Sequence, residues 1–258
     1  MDRSFLSNET LIAASRNFIC IRTATYEDAQ EAEFLRNVYS GREGQLENTV
    51  FALLSPDGQT NLSRTGRSPQ FSYRSPEAMA AAMDVLAFGY QGNPESEITS
   101  LPVMKNVRLA VNVAACDGLP LMIVYGKDNE QLRGLEKELV PLAFSEHLCG
   151  KFIYVKTTDP KEVQGIAGFN TQEFGFAVVT PDQYGVNAKL QHQWPSAVKP
   201  PQLQAGLSAF VNATSKVQKN HNQHVRAGRN DGIYWETEIP VEDKMSQRAM
   251  QRRPQRDK

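Results

Sequence analysis

Two stretches of this chain occur twice. Phe18-Ile19-Cys20-Ile21-Arg22-Thr23 returns as Phe152-Ile153-Tyr154-Val155-Lys156-Thr157, and Phe51-Ala52-Leu53-Leu54-Ser55-Pro56-Asp57 returns as Phe176-Ala177-Val178-Val179-Thr180-Pro181-Asp182. Each stretch is a short apolar run of strand length, and both copies of the second stretch end in a Pro-Asp turn, where proline presets φ and aspartate bonds its own backbone. A polar segment able to form a helix lies between the two runs in both halves. A plan of strand, crossover, strand and turn, written twice, restricts the chain to an α/β architecture in which helices cross over a sheet.

The length of 258 residues suits two domains of ordinary size, and a hydrophobic content of 40% is enough to give each a core. A net charge of -1 provides no general attraction to nucleic acid. No apolar run approaches the ~20 residues of a membrane-spanning helix. The start, Met1-Asp2-Arg3-Ser4-Phe5, lacks a basic segment followed by an apolar one, so the expectation is a cytoplasmic protein as written, exported if the true N-terminus lies upstream. There is no phosphate-binding loop, dinucleotide fingerprint or Gly-x-Ser-x-Gly elbow, and no cofactor is expected.

The first unit, 1–92, reads as a helix capped by Ser7 or Asn8, the strand Phe18 to Thr23, a helix from Glu27 to Tyr39, and the strand Thr49 to Leu54. A turn at Ser55-Pro56-Asp57-Gly58, a return strand from Thr60 to Arg64, and a helix from Pro76 to Phe88 follow. Gly92-Asn93-Pro94 marks a boundary. The second unit, 102–218, reads as a helix over Val103 to Ala115, the strand Leu121 to Tyr125, a helix over Asn129 to Leu139, and the strand Phe152 to Lys156. A crossover, the strand Phe174 to Val179, a strand from Val186 to His192, and a helix from Gln202 to Gln218 complete it. Leu121 to Tyr125 has no counterpart in the first unit. A tail, 219–258, is expected to be extended and partly disordered. In it Ile233, Trp235 and Ile239 share one face of an added strand or strap, and a basic, glutamine-rich end starts at Lys244.

The second unit, Val103 to Gln218, resembles the thioredoxin fold in its succession of helix, strand, helix, strand, crossover, strand, turn, strand, helix. The first unit, from Ser4 to Phe88, resembles the later part of the same fold, beginning just after the point where that family carries its active-site cysteines. The resemblance implies two tandem thioredoxin-like domains, each a central mixed sheet flanked by helices. The first is N-terminally incomplete, with its first strand borrowed or encoded upstream of Met1. It also shows what is missing. The family's two cysteines lie between the first core strand and the next helix, where the helix N-terminus stabilises a thiolate. Here that position reads Gly126-Lys127-Asp128-Asn129-Glu130. The family's cis-proline before the third core strand is replaced by Thr171-Gln172-Glu173, and in the first unit by Glu47-Asn48-Thr49.

These departures favour a redox-inactive binding or scaffolding protein that uses the old substrate groove near Asp128, Asn129, Gln172 and Glu173 to hold a protein or peptide partner. Nucleic acid and membrane are not expected as partners, and a sheet edge left open in the first unit would invite a homo-oligomer. The alternative is a thiol-disulfide oxidoreductase of the thioredoxin family, acting through an atypical or upstream motif or through a single thiol. The candidate thiols are Cys20, Cys116 and Cys149. Cys20, between Ile19 and Ile21 in an apolar strand, is expected to be a small buried hydrophobe. A third class, a metal-binding accessory protein, rests on His221 and His224 alone, and a solvated helix end explains them better.

Overall fold

In the computed structural model the described residues are 5–41, 44–47, 49–90, 99–214, 220–242, 244 and 247–248, the side chains of His221 and Asn222 excepted. The boundary at Gly92-Asn93-Pro94 and nearly all of the basic end lie outside them, as do Ser4, Asn48 and the last residues of the helix expected to reach Gln218. The protein is α/β, with one six-stranded mixed sheet and eight α-helices among the described residues. The chain divides into two compact units: 1–95 together with 234–258, and 96–233. None of the described helices is long and apolar enough to cross a membrane.

Three α-helices form among the described residues of the first unit. Each starts on a side chain that accepts hydrogen bonds from the backbone N–H groups of its first turn. Asn8 caps α1 (Glu9–Ser15), Asp28 caps α2 (Ala29–Val38), and Ser75 caps α3 (Pro76–Phe88), which has proline at its first position. One apolar cluster gathers Phe5, Leu11, Leu53, Met79 and Met83. A second gathers Tyr26, Ala32, Leu35 and Leu46, with Ile239 and Val241 of the returning C-terminal segment packed on it.

The sheet expected in the first unit does not form among the described residues. Pairing there is confined to the isolated antiparallel bridges Ser40↔Leu46, Phe51↔Gly66 and Leu54↔Asn61. Phe18 to Thr23 is not a strand; Ile19 is 93% exposed and Ile21 68%. Cys20 is exposed as well, contrary to the buried position expected of it. The second unit supplies the reason, because its copies of these two segments do not pair with each other.

That sheet has the order β1-β3-β2-β5-β6-β4. Its strands are β1 (Val103–Met104), β2 (Leu121–Tyr125), β3 (Ile153–Thr157), β4 (Ile166–Ala167), β5 (Gly175–Pro181) and β6 (Ala188–Pro195). The repeated segments are β3 and β5, and β2 lies between them, parallel to β3 and antiparallel to β5. A strand's N–H and C=O groups need a neighbour's. No described segment of the first unit takes the part of β2, so its two repeated segments have nothing to share.

β2 is buried over its whole length and alternates between two cores. Met122 and Val124 face a cluster with Leu135, Leu139, Phe176, Trp194, Leu203 and Leu207, under α5 (Asn129–Ala143) and α7 (Pro200–Ala213). Leu121, Ile123 and Tyr125 face Val107, Ala110, Val111, Val155, Ala177 and Val179, under α4 (Val107–Asp117). Full burial of each aliphatic side chain contributes about 1.5–3 kcal/mol, so β2 is a main source of this unit's stability.

Several boundaries move. The helix expected from Val103 begins at Val107, because Asn106 caps it and Val103–Met104 pairs beside β3 as β1. In the crossover after β3, Asp159 caps the short α6 (Pro160–Val163). The tail read as extended from residue 219 opens instead with a helix, α8 (His221–Asn230). Its His224 ring stacks on Tyr184 with centroids 5.0 Å apart.

Candidate functional site

At the end of β2 the chain passes through Gly126 and Lys127 to Asp128, which starts α5. The Asp128 carboxylate accepts a hydrogen bond from the backbone N–H of Gln131 at 2.8 Å, and the Gln131 side-chain oxygen accepts one from the N–H of Lys127 at 2.8 Å. This reciprocal arrangement is a capping box shifted by one residue. It closes the first turn of α5 with a carboxylate. Asn129 and Glu130 follow, both exposed.

Because β2 and β5 run antiparallel with Tyr125 opposite Gly175, the end of β2 lies beside the segment that precedes β5, which carries Gln172 and Glu173. The four binding residues expected from the sequence therefore lie at one end of the sheet, beyond the carboxyl ends of the parallel strands β2 and β3. In open α/β sheets ligands bind at that end. Asp159 caps α6 at the same end, after Thr157 closes β3.

Three residues that the sequence reading passed over hold this end together. The Tyr125 hydroxyl donates to the carbonyl of Thr171 at 3.2 Å, tying the loop to the strand. Its ring meets Phe169 edge-on at 5.5 Å and Phe174 at 5.1 Å, distances favourable for aromatic pairs. Asn170 accepts from the N–H of Gln172 through its side chain and from that of Glu173 through its carbonyl. Gln193, reaching across from β6, donates to the carbonyls of Asn170 and Glu173 at 2.9 and 2.7 Å and accepts from the Asn170 N–H at 3.1 Å. The loop is thus fixed through its backbone, which leaves Gln172 exposed.

Burial, and then the nearby Asp159 carboxylate, raise the pKa of Tyr125 above the ordinary phenol value. At neutral pH its hydroxyl stays protonated and acts as a hydrogen-bond donor rather than a base. Around it the exposed side chains of Lys127, Asp128, Asn129, Gln172 and Asp159 offer charge and hydrogen bonds to a ligand.

The candidate thiols are not brought into this site. Cys20, Cys116 and Cys149 are all exposed, and Cys20 belongs to the other unit. Cys116 is the penultimate residue of α4, and Cys149 lies in the turn after α5. His221 and His224 share α8; the His221 side chain lies outside the described residues, and among those residues no group of three or more His, Cys, Asp or Glu side chains could hold a metal. No protein-family model, curated protein or solved structure matches this chain.

Proposed function

We propose that this chain is a redox-inactive, tandem thioredoxin-like binding or scaffolding protein, which holds an extended protein segment at the end of the second unit's sheet. The observation that carries the reading is the closure of the α5 N-terminus by Asp128 and Gln131. A thiolate there would draw on the unsatisfied N–H groups of the first turn. Here a carboxylate takes up one of them, and no sulfur is near in sequence. The order of elements from β1 to α7, with β2 and β3 parallel and the β5–β6 hairpin added antiparallel, supports the family resemblance. What the site offers is recognition: an exposed polar loop held rigid by Gln193, beside a charged helix start.

The test uses the full chain against a random dodecapeptide display library. Selected peptides are expected to protect the amides of residues 126–131 and 170–174 from hydrogen exchange, and to lose at least tenfold in affinity for an Asp128→Arg, Gln172→Arg variant. Insulin reduction with dithiothreitol as electron source is expected to run at the uncatalysed rate. Catalysed turnover abolished by one Cys→Ser change would overturn the proposal in favour of an oxidoreductase, as would peptide binding that ignores both site substitutions in favour of another surface.

A further inference from the structure

The helix α3 is apolar on two sides. Met79, Ala80 and Met83 lie in the first unit's core. The opposite side carries Ala78, Ala81, Val85 and Phe88, spaced as in the seam of a coiled coil. All four are exposed, Val85 to 75% and Phe88 to 93%, although a helix apolar all round belongs in an interior. At ~100° per residue, Ala82 and Leu86 fall on one flank of this seam, and Glu77 and Asp84 on the other. The first flank forms one wall of a groove of about 440 Å³, and Leu62, Ser63 and Tyr73 line it from the other side. The Ser63 Oγ is buried with no hydrogen-bond partner among the described residues. Next to Ser63 and Tyr73 in sequence stand Arg64 and Arg74, both exposed, so positive charge borders that far wall. α3 itself has no basic residue. Among the described residues Asp84, Arg64 and Arg74 form no ion pair.

We infer that this face is the interface of a homodimer, in which the α3 seam of each copy lies along the groove of the other. Charge selects a second copy as the occupant. An apolar seam with an acidic flank fits a groove whose far wall is basic, and this chain carries both halves. A two-fold axis running along the helices joins them twice, as an isologous interface requires. It sets the α3 helices parallel, Ala82 beside Ala82, where small side chains let the backbones approach. Each Asp84 then turns outward to Arg64 and Arg74 of the other copy. An axis across the helices would stack them antiparallel and oppose Asp84 to Asp84, a like-charge contact that disfavours that arrangement. Val85 and Phe88 supply the apolar contact. One helix face and one groove make a small interface, so the dimer belongs to the transient class, with a micromolar dissociation constant. The inference is independent of the site at Asp128.

Sedimentation equilibrium of the full chain is expected to show monomer and dimer in exchange. Val85→Glu with Phe88→Glu alters two exposed side chains, leaves the circular dichroism spectrum as it was, and is expected to weaken association about tenfold or more. Asp84→Arg, and Arg64→Asp with Arg74→Asp, are each expected to weaken it about tenfold. An equimolar mixture of these two variants is expected to restore it, because opposite charges meet again at both contacts. In a chain whose Cys20, Cys116 and Cys149 are changed to serine, Ala82→Cys is expected to form an intermolecular disulfide with glutathione disulfide as oxidant, and Asp84→Cys is not. Four results would each overturn the inference: a wild type that stays monomeric up to ~1 mM, association undiminished by the two glutamates, a mixture no tighter than its parts, or cross-linking through residue 84 in place of 82. In the first case, a loss of stability in the double-glutamate variant would assign the cover of the seam to the same chain.

Discussion

Single side chains carry several of the strongest constraints here, and the repeated aspartate shows it most clearly. Asp57 accepts from the N–H of Gln59, and Asp182 accepts from that of Tyr184, so both copies bond the backbone two residues on and close the same turn. Asp182 goes further, taking the N–H groups of Val186 and Asn187 and the Asn187 side chain. Burial alone would raise its pKa; these bonds outweigh burial and hold it below the usual carboxylate value. A depressed folded-state pKa contributes stability above the unfolded value, lost as pH falls through the depressed one. Asp182→Ala is expected to cost about 1–3 kcal/mol at pH 7, read by urea denaturation, and the penalty should shrink as pH drops below about 4. Tyr125→Phe removes the bond to Thr171 and is expected to cost ~1 kcal/mol, with faster amide exchange at Gln172 as its specific sign.

At the scale of elements, β2 and its neighbours set what the second unit can be. Gly175 begins β5 with φ of +148°, and a Cβ there would lie 2.1 Å from the Trp194 carbonyl oxygen and 2.7 Å from the Pro195 carbonyl carbon. Gly175→Ala is therefore expected to cost more than ~2 kcal/mol, measured as a lowered melting temperature, and to loosen the loop that carries Gln172. The buried Glu136 of α5 accepts from Lys156 of β3 at 2.7 Å and from the N–H of Leu101 at 3.0 Å, so one carboxylate joins a helix, a strand and the entry to β1. Glu136→Ala is expected to destabilise by roughly 2–3 kcal/mol, below the full cost of breaking a buried pair because Lys156 is partly solvated. Calorimetry on that variant and on Glu136→Ala combined with Lys156→Met checks this, the second change restoring part of the loss. Most elements of this unit were legible in the sequence, β2 to the residue, because burial on both faces demands an uninterrupted apolar run. Asn106 and the two-residue β1 were not: so short a strand has no periodicity, and its pairing with β3 is a tertiary fact.

Across the whole molecule the chain crosses between its units and comes back, and the return is held by side chains and a backbone hydrogen bond. From Tyr234 the C-terminal segment belongs to the first unit. The Trp235 indole N–H donates to Glu27 at 2.6 Å, the Ile239 N–H to the Tyr26 carbonyl at 2.9 Å, and Glu242 accepts from both Arg36 and the Leu46 N–H. Trp235 and Ile239 of the expected strap are held by these anchors and not by a strand ladder, whereas Ile233 belongs to the second unit. The Arg36 guanidinium first, and then the Leu46 N–H, hold Glu242 down to about 2 from 4.5. Its contribution is complete above pH 4.5 and fades as pH falls toward 2. With both side chains about a third exposed, Glu242→Gln is expected to cost no more than ~1 kcal/mol at pH 7, seen as earlier release of Trp235 fluorescence in urea. The variant's stability should also vary less between pH 4.5 and pH 2. The junction that carries Asp128 and Asn129 and the loop that carries Gln172 and Glu173 could be located in advance because a strand-to-helix junction and a loop before a strand are local patterns. Gln193 and Asn170, which fix that loop, could not, since the first joins residues far apart in sequence. By itself the sequence determined where the apolar runs, caps and Pro-Asp turns fall, because each depends on a few adjacent residues. Only the tertiary structure decided which copy of the repeat became sheet, because a strand forms when another backbone lies alongside to meet its hydrogen bonds, and in this chain β2 does so for one copy alone.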